Sequence, residues 1–198
     1  MMSQRPAVHR ARATLLARLT LATLLAGLAG CAPRTDVPPV RAADTVVVEA
    51  TRIGQTLPQL TFATFSGDSA TVGGLARQPV TLLNLWSTYC GPCIEEFPLV
   101  ERLHQEYGPR GLRVLAVSVD KLDGAVSNFL MSHPVTLRIA RDPAGLSTEA
   151  LANTALPQNV LVSADGRVLY RGGAFGTELP ATCLAVIESA LAVSAAVM

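Results

Sequence analysis

Residues 80–98 read VTLLNLWSTYCGPCIEEFP and carry the clearest structural pattern in the chain. Its opening residues, VTLLNLW, form a nearly continuous apolar run of strand length, which is typical of a central strand covered on both faces. From Gly91 onward, apolar side chains recur at helical spacing, as at Ile94, Phe97 and Val100. The stretch therefore predicts a buried strand that leads directly into a helix, with two cysteines at the junction.

Strand and helix patterns alternate on both sides of that junction. Residues 46–63 predict one or two N-terminal strands, and residues 70–75 predict a short strand that returns after the turn signal at 66–68. Downstream, the patterns predict strands at 112–119, 135–140, 159–163 and 167–171, and helices at 91–107, 123–132, 146–153 and 177–195. This order predicts an α/β fold over residues 46–198, a three-layer sandwich with a mixed central sheet and an N-terminal β extension.

The N-terminal residues carry a secretory signal pattern. Residues 1–18 are basic and contain no Asp or Glu, and residues 19–29 (LTLATLLAGLA) form an apolar run. A basic segment, then a short apolar segment, then small residues are the features of a secretory signal. The run is shorter than the ~20 apolar residues that a membrane-spanning helix needs. The alternative is a buried amphipathic helix, which a segment with several arginines and no acidic residue fits poorly.

The signal pattern ends in Leu28-Ala29-Gly30-Cys31, so that residues 1–31 are expected to be a signal peptide with its processing site. This ending resembles the lipobox of bacterial lipoproteins, in which the cysteine is acylated and becomes the first mature residue. The alternative is an ordinary signal peptide with a coincidental cysteine. Lipid chains contribute about 0.8 kcal/mol per buried CH₂, so an acylated Cys31 would hold the protein at a membrane surface. Residues 32–45 are rich in proline and mixed in charge, and they predict a flexible tether.

The charge distribution argues against a nucleic-acid partner. The chain has a net charge of +1, but four of its arginines lie in the predicted signal. The rest of the chain is therefore slightly acidic, and it contains no basic stretch interleaved with aromatic residues. A nucleic-acid-binding protein usually shows a basic patch or stripe.

Cys90 and Cys93 are spaced so that they can close a disulfide across the first turn of the predicted helix. The free N–H groups and the positive dipole end of a helix N-terminus stabilise a thiolate, which lowers the pKa of a cysteine placed there. We therefore expect Cys90 to be the exposed nucleophile and Cys93, one turn further in, to be the buried resolving thiol. This exchange chemistry needs no cofactor and no metal.

Two other interpretations of the cysteine pair remain open at this point. Zinc sites also use this spacing, but zinc needs two further ligands, and the remaining candidates are only Cys183 and the scattered histidines His9, His104 and His133. A purely structural disulfide would also suit an oxidising compartment. A loop this short contributes little entropic stabilisation, however, and a Gly-Pro insert at a helix N-terminus suits exchange.

From about residue 57 onward, the chain resembles the TlpA/ResA-like thiol–disulfide oxidoreductases, an extracytoplasmic branch of the thioredoxin superfamily. The run LLNLWSTYCGPCIEEFP (82–98) is similar to the family's strand-W-[AS]-T-W-C-x-x-C-x-x-E-x-P pattern. Likewise VLAVSVD (114–120) is similar to its second core strand, and residues 142–166 to the region around its cis-proline. The resemblance implies a thioredoxin-like fold and disulfide exchange through Cys90 and Cys93.

The resemblance also implies roles for residues outside the cysteine pair. Pro157 matches the family's cis-proline, which would let the backbone of Leu156 pair with an extended substrate segment. The alternative is a trans-proline that merely opens a strand. Glu96 matches the family's acid near the active site and could relay the proton that Cys93 loses. The alternative is a solvated helix glutamate beside Glu95.

The active-site loop matches the family with several departures. Trp86 occupies the position of the motif's tryptophan, where packing in the core is an equally good explanation. Tyr89 replaces the usual tryptophan before the first cysteine and, with Gly91 and Pro92, completes the loop. Asn84 stands where cytoplasmic thioredoxins carry a buried aspartate. The other departures are Gln158 and Asn159, in place of frequent threonines, and Cys183, which we expect to be a buried small hydrophobe.

The Gly-Pro dipeptide between the cysteines favours a reductase. Thioredoxin carries the same dipeptide and lies near the reducing end of the known range of potentials. By resemblance, the expected partners are disulfide-containing extracytoplasmic proteins, with apocytochromes c and copper-site assembly proteins among the candidate clients. A membrane thiol-electron donor of the DsbD/CcdA kind would then reduce the oxidised pair.

Two other function classes are alternatives to this interpretation. A peroxiredoxin-type peroxide reductase shares the fold, but its cysteine follows a Thr-x-x-Cys pattern, whereas Thr88 precedes Cys90 by only two residues. A redox-inactive or copper-binding lipoprotein is the second alternative. Copper carriers on this fold space their cysteines differently and add a remote histidine, for which His133 is the plausible candidate here.

Overall fold

The computed structural model describes residues 51–72 and 80–197. The predicted signal, Cys31 and the tether at 32–45 lie outside the described residues, as do residues 46–50. In the described part, the strands are β1 Leu60–Thr64, β2 Ser69–Val72, β3 Val80–Trp86, β4 Leu112–Ser118, β5 Arg138–Arg141, β6 Gln158–Ser163 and β7 Val168–Gly172. The helices are α1 Gly91–Tyr107, α2 Asp123–Ser132, α3 Leu146–Ala150 and α4 Ala181–Val197, and a 3₁₀ turn spans Gly108–Arg110.

The strands form one mixed sheet in the order β2-β1-β5-β4-β3-β6-β7. β3 is parallel to β4, which is parallel to β5, whereas β6 runs antiparallel to β3 and β7 antiparallel to β6. The parallel pairs are joined through helices α1 and α2, as parallel strands require a crossover. The expected mixed sheet and terminal hairpin are therefore confirmed.

The sheet is covered on both faces. Every residue of β3 is buried, which explains why its sequence is apolar almost without alternation. One apolar cluster joins alternate β3 residues to α1 and α4, through residues such as Phe97, Val100 and Ile187. A second cluster on the other face includes Leu83, Leu85 and Leu151. The three-layer α/β sandwich is confirmed.

The N-terminal β extension is a hairpin at the edge of the sheet. β1 pairs antiparallel with β2 and also with β5. Residues 51–59 form no strand: Thr56 makes an isolated bridge to Arg167, beside β7. A strand expected within residues 46–63 is therefore present at Leu60–Thr64, while residues 46–50 lie outside the described residues.

Three predicted boundaries differ from the structure for identifiable reasons. β5 begins at Arg138 rather than at residue 135, because the N–H groups of Thr136 and Leu137 bond to Glu101 of α1. α3 ends at Ala150 rather than at residue 153, and Ala152 just beyond it has a left-handed φ of 44°. α4 begins at Ala181 rather than at residue 177, since a proline at position 180 disfavours helical geometry in the residue before it.

No helix in the described part of the chain is long and apolar enough to cross a bilayer.

Candidate active site

The cysteine pair lies where β3 ends and α1 begins. Cys90 is the N-cap of α1 with extended backbone angles, and Cys93 lies in the helix's first turn. Their sulfurs form a disulfide with an S–S distance of 2.08 Å and a Cα–Cα distance of 5.2 Å. The predicted junction between strand, cysteine pair and helix is therefore present.

The two cysteines differ in their access to solvent. Cys90 is half-buried, whereas Cys93 is only 1% exposed. Cys90 Sγ accepts a hydrogen bond from the Cys93 N–H at 3.3 Å. The same N–H, together with the positive end of the helix dipole, would stabilise a thiolate on Cys90 after reduction. The geometry suits attack by Cys90 and resolution by Cys93.

The loop around the pair is open to a partner. Gly91 and Pro92 are exposed, and Tyr89 exposes 82% of its surface. Tyr89 therefore projects an aromatic ring into solvent directly before Cys90. No group of three or more His, Cys, Asp or Glu side chains placed to hold a metal occurs within residues 51–72 and 80–197.

Trp86 supports the loop from below. It is fully buried and contacts Phe97 of α1 and Phe129 of α2, with ring centroids at 4.7 and 5.1 Å. Phe97 and Phe129 also meet edge to face. These aromatic contacts join the end of β3 to the two helices that flank it, so Trp86 is a core residue beneath the site.

Glu96 lies one turn after Cys93 and is buried on the same face of α1. Only 1% of its surface is exposed, so the interpretation of Glu96 as a solvated helix residue is wrong. Burial raises the pKa of its carboxyl group above the ordinary value of 4.5, although hydrogen bonds from the Phe175 N–H, Asn159 and Asn84 oppose the shift. A raised pKa makes this carboxyl group a better proton acceptor than an ordinary glutamate.

Two asparagines from neighbouring strands hold the Glu96 carboxyl group. Asn84 of β3 and Asn159 of β6 are direct partners in the sheet. Their amide groups donate to Glu96 Oε1 at 2.8 and 3.1 Å, and the Phe175 N–H donates to Oε2 at 2.7 Å. Asn84 also donates to Asn159 Oδ1, which completes a buried polar cluster behind the disulfide.

The Leu156–Pro157 peptide bond is cis, as the resemblance implies. Pro157 is buried and Leu156 is partly exposed. Because Gln158 pairs with Leu85 in the sheet, Pro157 lies beside the end of β3 that leads to the cysteines. The Gln158 amide donates to the Asn153 carbonyl at 2.7 Å and so anchors the segment that precedes the proline.

Cys183 lies in α4 and is fully buried, as expected of a small hydrophobe. Burial raises the pKa of its thiol to about 12, which disfavours the reactive thiolate.

Sequence reasoning missed two features of the site. Asn159 was noted only as a departure from the usual threonine, yet its amide contacts Glu96 directly. Asp120 closes the VLAVSVD run and accepts hydrogen bonds from Ser87 and Thr88 of the active-site loop. The polar end of that otherwise apolar strand was the signal that could have identified Asp120.

A disulfide at a helix N-terminus, placed after the central strand and beside a cis-proline, defines a thiol–disulfide oxidoreductase of thioredoxin-like fold. The chain belongs to the Redoxin family, whose model matches residues 52–179.

Named relatives narrow this assignment. The chain is 28% identical over 121 residues to the thiol-disulfide oxidoreductase ResA of Bacillus thuringiensis, covering 61% of this chain and 69% of the relative. It is 30% identical over 148 residues to the thiol:disulfide interchange protein DsbE homolog of Paracoccus denitrificans, covering 74% of this chain and 76% of the relative.

A crystal structure of a candidate DsbE interchange protein from Chlorobium tepidum superposes with a TM-score of 0.63 at 26% identity. The match covers 72% of this chain and 99% of that one. StoA from Bacillus subtilis, at 18% identity and a TM-score of 0.54, shares the fold. The protein is thus an oxidoreductase of the ResA and DsbE type, with protein-disulfide redox activity at the Cys90–Cys93 pair.

Proposed function

We propose that this oxidoreductase reduces disulfides of extracytoplasmic proteins while it is anchored to a membrane through acylated Cys31. The observation that carries the proposal is the asymmetry of the pair: Cys90 is half-buried at the helix N-terminus and Cys93 is only 1% exposed. An accessible nucleophile with a protected resolving thiol suits attack on a partner's disulfide.

The first step is attack by the Cys90 thiolate on one sulfur of the client disulfide. A bond forms between Cys90 and that sulfur, and the other client sulfur leaves as a thiolate that takes a proton. Leu156, ahead of the cis-proline, offers its backbone beside the end of β3, where an extended client segment would pair with it.

The second step is attack by Cys93 on Cys90 Sγ, which releases the second client thiol and closes the disulfide. Cys93 is buried, so it must pass its proton to a group inside the protein. Glu96 is the buried carboxyl group on the same helix face, and its raised pKa brings its proton affinity closer to that of a thiol. We assign Glu96 as the proton acceptor for Cys93.

Each cycle moves two electrons from the protein dithiol to the client. The oxidised pair then needs two electrons and two protons from a second dithiol, and a membrane thiol-electron carrier of the DsbD/CcdA kind fits that need. The Gly91-Pro92 insert supports this direction, because the same dipeptide occurs in strongly reducing thioredoxin. The signal pattern and lipobox support the extracytoplasmic, membrane-anchored location.

The deciding experiment is the reduction potential of the Cys90–Cys93 pair, measured on the full chain in detergent against glutathione buffers. A potential more negative than about −220 mV, toward the thioredoxin end of the range, supports the reductase. A potential near −120 mV, typical of strong oxidants, would show that the protein donates disulfides instead.

A peroxidase assay of Cys93→Ser distinguishes disulfide reduction from peroxide reduction. Resolution by Cys93 is essential to our proposal, so Cys93→Ser should stop multiple-turnover reduction and leave a client bound to Cys90. Peroxide consumption by Cys93→Ser as fast as by the wild type would favour a peroxiredoxin-type enzyme.

A further inference from the structure

A second buried carboxyl group accepts hydrogen bonds from the loop that leads to the cysteine pair, and the exchange steps do not use it. Asp120 follows β4 and is 6% exposed. Its oxygens accept hydrogen bonds from Ser87 Oγ at 2.7 Å, the Thr88 N–H at 3.0 Å and Thr88 Oγ1 at 3.1 Å. Ser118 Oγ adds a bond of 2.7 Å. Most of these donors belong to the loop between β3 and α1.

These bonds define the path of the chain into Cys90. Ser87 Oγ, which donates to Asp120, also accepts from the Tyr89 N–H at 3.2 Å. The Ser87 carbonyl accepts from the Cys90 N–H at 3.1 Å and closes the turn. Asp120 therefore holds Ser87, whose hydroxyl and carbonyl oxygens form the turn before Cys90.

The donors to Asp120 are neutral hydroxyl and amide groups. No Lys, Arg or His within residues 51–72 and 80–197 forms an ion pair with Asp120. The neighbouring Lys121 directs its ammonium group to the Pro143 carbonyl instead. Among the described residues, the Asp120 carboxylate is thus stabilised by hydrogen-bond dipoles and by no ion pair.

This charge lies close enough to affect Cys90. The Asp120 carboxylate is 3.0 Å from the Thr88 N, and the Thr88 N is separated from the Cys90 N by two residue steps, so the carboxylate lies within about 10 Å of the Cys90 backbone. That distance is comparable with the Debye length of about 8 Å at physiological ionic strength, and buried charges are screened less than exposed ones. The positive end of α1 and the negative Asp120 therefore act on Cys90 with opposite sign.

We propose that Asp120 is a positioning residue of the active site, which fixes loop 87–89 and places a negative charge near Cys90 that makes the reduction potential of the disulfide pair more negative. A negative charge disfavours a thiolate on Cys90, and disfavouring the reduced form makes the couple more reducing. The inference rests on one part of the proposed function, disulfide exchange at the Cys90–Cys93 pair. It does not depend on the direction of that exchange, because it concerns the difference in reduction potential between variants.

The test compares Asp120→Asn with Asp142→Asn in the full chain. Asp142 is also a buried aspartate, 2% exposed, but it lies just before α3. It accepts hydrogen bonds at the start of that helix from the N–H groups of Gly145, Leu146 and Ser147. It therefore controls for the loss of a buried carboxylate. The readouts are the equilibrium constant with glutathione and the pH titration of the Cys90 thiolate by ultraviolet absorbance.

Asp120→Asn should raise the equilibrium constant for reduction of the pair about tenfold, a shift of about 30 mV toward oxidising potentials. The Cys90 thiolate should form at lower pH in this variant. Asp142→Asn should leave both readouts near the wild-type values. If Asp120→Asn lowers the melting temperature and leaves both readouts unchanged, Asp120 is merely structural and the inference is overturned.

A second variant keeps the inference testable if Asp120→Asn fails to fold. Ser118→Ala removes one donor dipole from Asp120 and keeps the carboxylate. Its charge is then less compensated, so the potential should move in the opposite direction, by less than tenfold in the equilibrium constant. No shift, or a shift toward oxidising potentials, would contradict the inference. The wild-type potential itself tests the proposed direction separately.

Discussion

Helix α1 carries two glutamates whose surroundings differ in a revealing way. Glu96 and Glu101 lie on the same helix, and each accepts hydrogen bonds from three residues. Burial is the largest contribution to the pKa of both carboxyl groups and raises it. The net pKa of Glu96 is nevertheless raised, whereas that of Glu101 is lowered.

The difference lies in depth. Glu96 is 1% exposed, and its three donors do not offset the loss of water. Glu101 is half-buried, and the hydroxyl of Thr136, the N–H groups of Thr136 and Leu137, and the Gln105 amide together outweigh burial. With a similar set of donors, the carboxyl group near the cysteines thus has a raised pKa and the one further along the helix has a lowered pKa.

Removal of the Glu96 carboxyl group should have the largest effect of the glutamate substitutions on α1, and the effect should be on activity. Glu96→Gln should slow steady-state disulfide reduction by about 10²-fold, because the proton acceptor for Cys93 is lost and general acid–base groups contribute on that scale. Rapid-quench measurements should show that the Cys90 mixed disulfide accumulates. Glu95→Gln is the matched control, since Glu95 is the adjacent exposed glutamate on α1.

Turnover of Glu96→Gln at the rate of Glu95→Gln would remove Glu96 from the mechanism. Loss of activity without accumulation of the mixed disulfide would place its role before the attack by Cys93.

An intermediate effect is expected on stability at Glu101. Glu101→Gln should lower the free energy of unfolding at neutral pH by about 1–2 kcal/mol. One carboxylate oxygen becomes an NH₂ group that cannot accept from donors such as the Thr136 hydroxyl, and the bonds that remain lose their charge assistance. Urea denaturation measures the change. Glu106→Gln is the control, since Glu106 is exposed on the same helix, and it should change the value by less than about 0.5 kcal/mol. Equal losses in the two variants would mean that the Glu101 contacts contribute nothing.

These two glutamates also show how far sequence patterns reach. The strand β3, the helix α1 and the cysteine pair were predictable because each rests on spacing between near neighbours. The Glu101 contacts join residues 35 and 36 positions apart, and Asn159 is 63 positions from Glu96. No local pattern encodes such contacts, and for this reason the start of β5 and the role of Asn159 were missed.

The position of Glu96 was available from the resemblance, but its burial was not. Glu96 follows Cys93 by three residues, so it lies on the face of α1 that carries Cys93. Whether that face meets solvent or the sheet depends on β3 and β6 lying beneath it, which is a property of the assembled sheet. The same limit applies to Asp120, whose partners in the loop are 32 and 33 positions away.

The two glutamates should also differ in the pH dependence of stability, and this effect should be smaller than either of the changes above. A group with a raised pKa in the folded state binds more protons in the folded protein than in the unfolded chain, so stability falls as pH rises through that range. For Glu96 this range begins near 4.5 and extends upward to its folded pKa. For Glu101, whose folded pKa is lowered, stability is instead lost as pH falls from about 4.5 toward the folded value.

The stability difference between each Gln variant and the wild type should therefore change with pH on opposite sides of pH 4.5: above it for Glu96→Gln and below it for Glu101→Gln. Relative to the wild type, Glu96→Gln should gain stability as the pH rises above that value, because the wild type alone bears the cost of ionising a buried carboxyl group. Glu101→Gln should lose least stability at the lowest pH, where the wild-type carboxylate is itself protonated. Urea unfolding at a series of pH values measures both differences. If both stability differences change on the same side of pH 4.5, burial depth does not distinguish the two glutamates.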